Sequence, residues 1–108
     1  GSYGTGLALD SAGNIYVTGC FYGTAQFGKT TLTSKGHRDL FVAKLNNQGK
    51  FLWATSAGGS DIDEGESLAL DSAGNIYVTG MFYDAAQFGK TTLTSKGDAD
   101  IFVWKLAQ

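Results

Sequence analysis

The sequence predicts an all-β fold built from short antiparallel strands. The chain of 108 residues contains 16 glycines and no proline, with many Thr, Val, Ile, Phe and Tyr residues. This composition is typical of strands joined by tight turns. Hydrophobic residues make up 43% of the chain, which is enough for the core of about one small domain. The second observation behind the fold class is an internal repeat.

The chain repeats itself without a gap at an offset of 61 residues. LALDSAGNIYVTG at residues 7–19 returns at residues 68–80, and only seven of the 39 positions between residues 7 and 45 differ from their partners. Self-similarity of this kind is typical of architectures in which each unit packs its faces on its neighbours. Copies this similar indicate a recent duplication or a designed chain.

The offset divides the chain into repeat 1, residues 1–61, and repeat 2, residues 62–108. Repeat 2 ends at Gln108, before a counterpart of the last strand predicted for repeat 1. We therefore expect repeat 2 to lack that strand.

Four strands, A to D, are predicted in repeat 1. Strand A covers Leu7–Asp10 and strand B covers Asn14–Phe21, and the link D-S-A-G suits a three-residue hairpin loop in which Gly13 has a positive φ. Strand C covers Asp39–Leu45 and strand D covers Phe51–Ala57, and the link N-N-Q-G between them has the same turn chemistry. Asp10 and its partner in repeat 2 are expected to accept backbone N–H groups in these turns.

The segment between strands B and C contains a phosphate-loop pattern. GTAQFGKT at Gly23–Thr30 fits G-x-x-x-x-G-K-[ST]. A phosphate loop requires a following helix, but the next residues, TTLTS, are poor helix formers. Repeat 2 also has Asp84 at the place of Gly23, which puts a carboxylate where the phosphate would lie. We therefore predict a type II′ hairpin turn at Gly28-Lys29 and expect no cofactor.

The segments LALDSAGNIYVTG and DLFVAKLNNQGKFLWATSAGGS resemble the β-propeller repeat of a bacterial family named for seven-bladed propellers. They are more loosely similar to the blades of NHL-type propellers. The resemblance implies four-stranded antiparallel blades, here A-B-C-D followed by A-B-C. It also implies a protein of the cell envelope or the extracellular space, without an assigned reaction.

Full propellers contain about 4–8 blades, and two blades leave apolar faces and strand edges uncovered. The expected solution is a ring completed by oligomerisation around an axis. Three chains would give six blades, and four chains would give eight. The predicted function is that of a non-enzymatic structural protein that assembles with itself into a homo-trimer or homo-tetramer.

Two tryptophans are candidate interface residues. Trp53 lies in strand D, and Trp104 replaces Ala43 in the largest volume change between the repeats. Two hypotheses about Trp104 stay open. In the first hypothesis, Trp104 covers the apolar surface left by the absent strand or contacts another subunit. In the second, Trp104 packs in the core between the blades.

The alternative function is a lectin-like module that binds carbohydrate or peptide. Propellers used as lectins carry one aromatic pocket per blade, and repetition of such a pocket adds avidity. The same aromatic pairs would suit packing between blades equally well. The candidate binding residues follow strand B in each repeat: Phe21, Tyr22, Phe82 and Tyr83.

The acidic loop between strand D and repeat 2 is a candidate Ca²⁺ site. Asp61, Asp63 and Glu64 offer the oxygen ligands that Ca²⁺ prefers, if they converge. The alternative is a solvated loop between blades.

Charge and nucleophile content exclude several other classes. The net charge is −2 without a basic stripe, so a nucleic-acid partner is not expected, and no apolar run predicts a membrane span. Cys20 and His37 become Met81 and Asp98 in repeat 2, and no third residue orients them. We therefore expect no catalytic residues. Lys44 either extends to solvent or lines a central channel.

Overall fold

The computed structural model describes residues 2–108, and every regular element in that range is a β-strand. The first four strands form blade 1 and the last three form blade 2, which confirms the all-β prediction. The strands are β1 (Ser2–Leu9), β2 (Ile15–Phe27), β3 (Thr30–Leu45), β4 (Phe51–Gly59), β5 (Asp63–Leu70), β6 (Ile76–Phe88) and β7 (Thr91–Leu106).

Each blade is an antiparallel meander. In blade 1 the order is β1-β2-β3-β4, and in blade 2 β6 lies between β5 and β7. The end of β4 joins the two blades, because Gly58 pairs with Gln87 and Gly59 pairs with Ala86 of β6. Predicted strands A to D therefore correspond to β1 to β4.

The hairpin predicted at Gly28-Lys29 is continuous with strands B and C, so β2 and β3 are longer than the strands predicted. β2 and β3 run together to Phe27↔Thr30 and turn at Gly28-Lys29. Gly28 has a φ of 63°, and Asp84 is the only described non-glycine residue with a positive φ, so the turn has the type II′ pattern. Lys29 is followed by β3 and not by a helix, which rules out the phosphate loop.

An irregularity inside this hairpin explains the predicted shorter strands. The ladder passes from Tyr22↔Arg38 to Thr24↔Thr33, so Gly23 on one strand and four residues on the other leave the pairing. Gly23 has a φ of 73° and its N–H donates to Ser34 Oγ at 2.9 Å. Such a bulge interrupts the two-residue side-chain alternation by which a strand is recognised in a sequence.

The A–B turns are organised by an aspartate, as predicted. Asp10 Oδ1 accepts the N–H groups of Ala12 and Asn14, and its Oδ2 accepts Asn14 Nδ2 and the Tyr16 hydroxyl, at 2.9–3.0 Å. Gly13 has a φ of 83°. Equivalent bonds at Asp71, above all from Asn75, hold the pKa of that carboxyl down at about 2.

Side chains alternate between two faces of each blade. We call these the tyrosine face and the phenylalanine face. On blade 1 the tyrosine face carries Tyr16, Thr18, Leu40 and Val42, and on blade 2 it carries Tyr77, Thr79, Ile101 and Val103. The phenylalanine face carries Leu7, Val17, Phe21 and Phe41 on blade 1, and Leu68, Val78, Phe82 and Phe102 on blade 2.

The main core lies between the blades. The tyrosine face of blade 1 packs against the phenylalanine face of blade 2, and this inter-blade core buries Leu40, Val42, Ile76 and Val78 completely. A second cluster, which includes Phe21, Phe27 and Phe41, lies on the phenylalanine face of blade 1. The two blades are thus held together by one face of each. The tyrosine face of blade 2 points outward, whereas the phenylalanine face of blade 1 buries its phenylalanines in their own cluster and exposes Leu7.

Candidate functional surfaces and sites

Equivalent residues of the two repeats differ sharply in exposure. Leu40 and Val42 of blade 1 are both 0% exposed, whereas Ile101 and Val103 at the same positions of blade 2 are 79% and 68% exposed. The tyrosine face of blade 2 is therefore an apolar surface with no blade against it in residues 2–108.

On the phenylalanine face the difference in exposure is reversed, because here the residue of blade 1 is the exposed one. Leu68 of blade 2 is 9% exposed, whereas its counterpart Leu7 in blade 1 is 65% exposed. The two open faces are thus counterparts of the two faces that pack together in the inter-blade core. One molecule presents both halves of a blade–blade contact.

Gly65 lies at a close contact between the two blades. Thr18 on blade 1 lies against Gly65 of β5 so tightly that a Cβ on Gly65 would collide with its hydroxyl. The counterparts are Thr79, which is exposed, and Gly4. A Cβ at Gly4 would meet only Val17 Cγ1 at 3.3 Å and the Thr18 carbonyl at 3.8 Å, both in its own blade. Gly4 therefore keeps open a space that no described residue of another blade fills.

Both candidate interface tryptophans pack against the inter-blade core. Trp104 contacts Phe88 with ring centroids 5.9 Å apart, and Phe51 of β4 makes the same contact with Phe27 in blade 1, also at 5.9 Å. Trp104 on β7 thus takes the place in blade 2 that a β4 aromatic has in blade 1. Packing between blades is one of the two arrangements that the sequence left open, and contact with another subunit stays a proposal.

The four aromatic residues proposed for ligand binding do not form a matched pair of pockets. Phe21 and Phe82 are buried, and each makes an edge contact with a hairpin phenylalanine. Tyr22 is exposed and lies 5.4 Å from the His37 ring, whereas Tyr83 is half-buried. Tyr22 is thus the most accessible of the four.

Tyr22 lines a shallow cleft on blade 1. The cleft joins two exposed tyrosines to a histidine and an arginine, and the Arg38 guanidinium lies over the Tyr3 ring at 5.5 Å. Repeat 2 has Glu64, Asp98 and Ala99 at the positions of Tyr3, His37 and Arg38. The cleft therefore occurs in one repeat, lined by Ser2, Tyr3, Tyr22, His37 and Arg38.

The two potential nucleophile partners, Cys20 and His37, have different neighbours. Cys20 is buried and its Sγ lies 3.9 Å from Glu64 Oε2, and burial raises the pKa of the thiol. His37 packs on Tyr22. A buried thiol with a raised pKa is a poor nucleophile.

The three residues proposed for Ca²⁺ binding have separate partners. Glu64 forms an ion pair with Arg38 at 3.0 Å, while Asp61 Oδ1 accepts the N–H of Ile62. Asp63 is completely buried. Within residues 2–108, no group of three or more His, Cys, Asp or Glu side chains is close enough to hold a metal ion.

A buried pair of carboxylates was not foreseen. Asp39 was predicted only as the first residue of strand C, and its Oδ2 accepts the N–H of Lys35 at 3.1 Å. It is also buried near Asp63, and Oδ1 of each carboxylate has no hydrogen-bond partner. Burial is the main cause that raises the pKa of Asp39 to about 6 and that of Asp63 to about 7.

Lys44 extends along its own blade toward solvent. Its Nζ lies over the Tyr16 ring at 5.3 Å and donates to Gln108 Oε1 at 3.0 Å. Lys105 has the same position over Tyr77 at 5.7 Å. The long aliphatic stem covers the aromatic ring while the ammonium group reaches the surface.

These features define the class of protein: tandem blades of a β-propeller. The chain is similar to the family described as Beta-propeller repeat, whose model matches residues 1–19 and 52–81. These residues cover the β1–β2 hairpin and the passage from β4 through β5 into β6. This match confirms the resemblance to a β-propeller repeat that was seen in the sequence.

A relative among curated proteins is an uncharacterized WD repeat-containing protein of Acanthamoeba polyphaga mimivirus. It is 28% identical over 101 residues, and the match covers 77% of this chain and 7% of that protein. The chain thus spans a small part of this relative's length. In residues 2–108 there is also no helix that is long and apolar enough to cross a membrane.

Proposed function

We propose that this β-propeller repeat chain is a non-catalytic structural unit that assembles with copies of itself into a closed ring. The observation that supports this proposal most directly is the unequal burial of equivalent residues. Ile101 and Val103 of blade 2 are exposed, whereas Leu40 and Val42 at the same positions of blade 1 are buried. One copy presents the open tyrosine face of blade 2, and the next presents the open phenylalanine face of blade 1. Each inter-chain contact would repeat the contact already made within the chain.

The similarity between the sequences of the two repeats supports this docking of one copy on the next. Leu7 and Val17 on the open phenylalanine face are the same residue types as Leu68 and Val78, which are buried within the chain. Gly4 supplies the space that Thr79 of another copy would need, as Gly65 does for Thr18. Such a contact joins two different surfaces of the chain. Copies that dock in this way one after another form a ring if the rotation from each copy to the next adds up to a full turn. Three or four copies give the six or eight blades of a propeller.

A non-catalytic role agrees with the candidate sites. Cys20 is buried, and the A–B turn aspartates use their oxygens to hold the turns. The repeats are nearly identical in sequence, whereas a catalytic site needs different side chains in fixed mutual positions. The proposal therefore assigns the exposed faces, and not a reaction, as the functional part of the molecule.

The variant Ile101→Glu tests the docking face. Burial of an isoleucine side chain stabilises a contact by about 1.5–3 kcal/mol, so its loss should lower the association constant at least about tenfold. Light scattering should show smaller particles, while circular dichroism shows a folded all-β chain. Thr92→Glu, on the exposed hairpin of the same strand, is the matched control and should assemble as the parent does. A particle mass unchanged by Ile101→Glu contradicts the proposal.

Glycan or peptide binding is the second candidate, and the exposed Tyr3 and Tyr22 rings of the blade 1 cleft favour it. Sugars stack on aromatic rings of this kind. A glycan array followed by titration of any hit against Tyr22→Ala tests it, with Tyr83→Ala as control. Retained affinity in Tyr22→Ala excludes this cleft.

A further inference from the structure

The buried carboxyl pair lies at the junction between the two blades. Asp39 belongs to β3 of blade 1, Asp63 begins β5 of blade 2, and Gly58 of β4 lies between their carboxyl groups. A Cβ on Gly58 would be 2.6 Å from Asp39 Oδ1 and 2.8 Å from Asp63 Oδ2. The two carboxyl groups thus converge on one point, which only a glycine leaves open.

Each carboxyl group has one oxygen satisfied and one left without a partner. Lys35 N donates to Asp39 Oδ2 at 3.1 Å, and Gly59 N donates to Asp63 Oδ2 at 2.8 Å. Both Oδ1 atoms are fully buried and accept no hydrogen bond. Buried polar atoms in native proteins nearly always have a hydrogen-bond partner. We therefore expect an additional bound species at these two oxygens.

The charges around the pair do not neutralise it. Lys35 is the one basic side chain that acts on Asp39, and it is exposed. Asp61 adds a further negative charge beside Asp63, and neither buried aspartate forms an ion pair within residues 2–108. Two ionised carboxylates buried together repel each other and lose their hydration.

We propose that Asp39 and Asp63 bind one shared proton, which makes the contact between the blades tighter in mild acid than at alkaline pH. The proton is taken up from solvent and is held by one of the two carboxyl groups that meet at Gly58. One proton therefore removes one of the two buried charges and the repulsion between them. A metal cation fits less well, because within residues 2–108 no group of three or more His, Cys, Asp or Glu side chains lies close enough together to hold one.

The direction of the pH dependence follows from the raised pKa values. An unfolded aspartate has a pKa of 3.8, whereas burial raises the pKa of Asp39 to about 6 and that of Asp63 to about 7. Between these values the folded chain binds more protons than the unfolded chain. Folding is therefore favoured at low pH, and this advantage is lost as the pH rises through about 6 to 7.

The experiment is urea unfolding of the full chain between pH 5 and pH 8, at one protein concentration. The folding constant of the parent should fall by up to about tenfold per pH unit for each proton released. Asp63→Asn should flatten this dependence. Asp100→Asn changes the counterpart of Asp39 in blade 2, which is partly exposed, and as a matched control it should keep the dependence of the parent.

Three results would overturn the proposal. The first is a pH-independent midpoint in the parent, and the second is an unchanged pH dependence in Asp63→Asn. The third is a midpoint at pH 8 that falls with EDTA and recovers with Ca²⁺, which would assign the site to a cation. A pH titration of the aspartate carboxyl carbons by NMR tests the same proposal on the parent chain, without a variant. Two aspartates should titrate above pH 5, and titration of all aspartates near pH 4 contradicts the shared proton.

The inference does not depend on self-association, because both aspartates belong to one chain. Repeat 1 has Ser2 at the position of Asp63, so an inter-chain junction would pair Asp100 with Ser2 and contain no acid pair. The pH dependence should therefore appear in the stability of the chain, whatever its particle mass.

Discussion

Leu40 and Ile101 occupy the same position in the two repeats, yet Leu40 is 0% exposed and Ile101 is 79% exposed. The difference arises because blade 2 covers the tyrosine face of blade 1, while no described residue covers that face of blade 2. An apolar strand surface of this kind is typically found at a contact between proteins. The repeat itself indicates which surface fits there, namely the open phenylalanine face of another copy.

Gly4→Ala should weaken association without unfolding the chain. The added methyl would meet the hydroxyl of the docking Thr79, just as a Cβ on Gly65 would meet Thr18, whereas within its own blade it only touches Val17. We expect an association constant at least about fivefold lower, since overpacking of a tight core costs about 1–3 kcal/mol. Concentration-dependent light scattering measures this.

Thr79→Ala in the Gly4→Ala background provides the control. It removes the colliding hydroxyl and leaves a Cβ–Cβ separation near the 3.4 Å found between Thr18 and a Cβ on Gly65, so association should recover. Failure of the double variant to recover would contradict the proposed pairing of Thr79 with Gly4.

Trp104→Ala should lower the free energy of unfolding by about 2–4 kcal/mol, because the ring packs on Phe88 and on the inter-blade core. Trp104→Phe should retain part of this stability, since Phe51 fills the corresponding place in blade 1. Urea unfolding measures both. Loss of assembly at unchanged stability would instead make Trp104 a contact between subunits.

Asp84→Gly should raise the free energy of unfolding by about 0.5 kcal/mol. Asp84 has a φ of 57°, a left-handed conformation that costs an L-residue energy, and repeat 1 has Gly23 in the same bulge. The backbone bond from residue 84 to Ser95 Oγ is retained in the variant. The reverse change, Gly23→Asp, should destabilise by a similar amount. A less stable Asp84→Gly variant contradicts this account of the bulge.

The turns and the strand order could be predicted from the sequence because they depend on local chemistry. D-S-A-G and N-N-Q-G fix hairpins through an Asp or Asn acceptor and a glycine with positive φ, and both occur as expected. The II′ turn at Gly28 is equally local. The continuity of this hairpin with strands B and C was not predicted, because the bulge at Gly23 interrupts strand alternation.

The sites were harder to predict because they depend on how the blades meet. Phe21 and Tyr22 are neighbours in sequence, but alternation buries one and exposes the other. Asp39 and Asp63 are far apart along the chain, and only the packing of β5 against β3 brings their carboxyl groups to Gly58. Glu64 faces Arg38 for the same reason. A pairing of this kind has no local pattern that a single sequence would reveal.

The particle mass of the 108-residue chain in solution tests the central claim most directly. Native mass spectrometry or light scattering at micromolar concentration should give three or four times the chain mass of 11.4 kDa, which is about 34 or about 46 kDa. A folded species of 11.4 kDa that persists at that concentration would contradict assembly through the open blade faces.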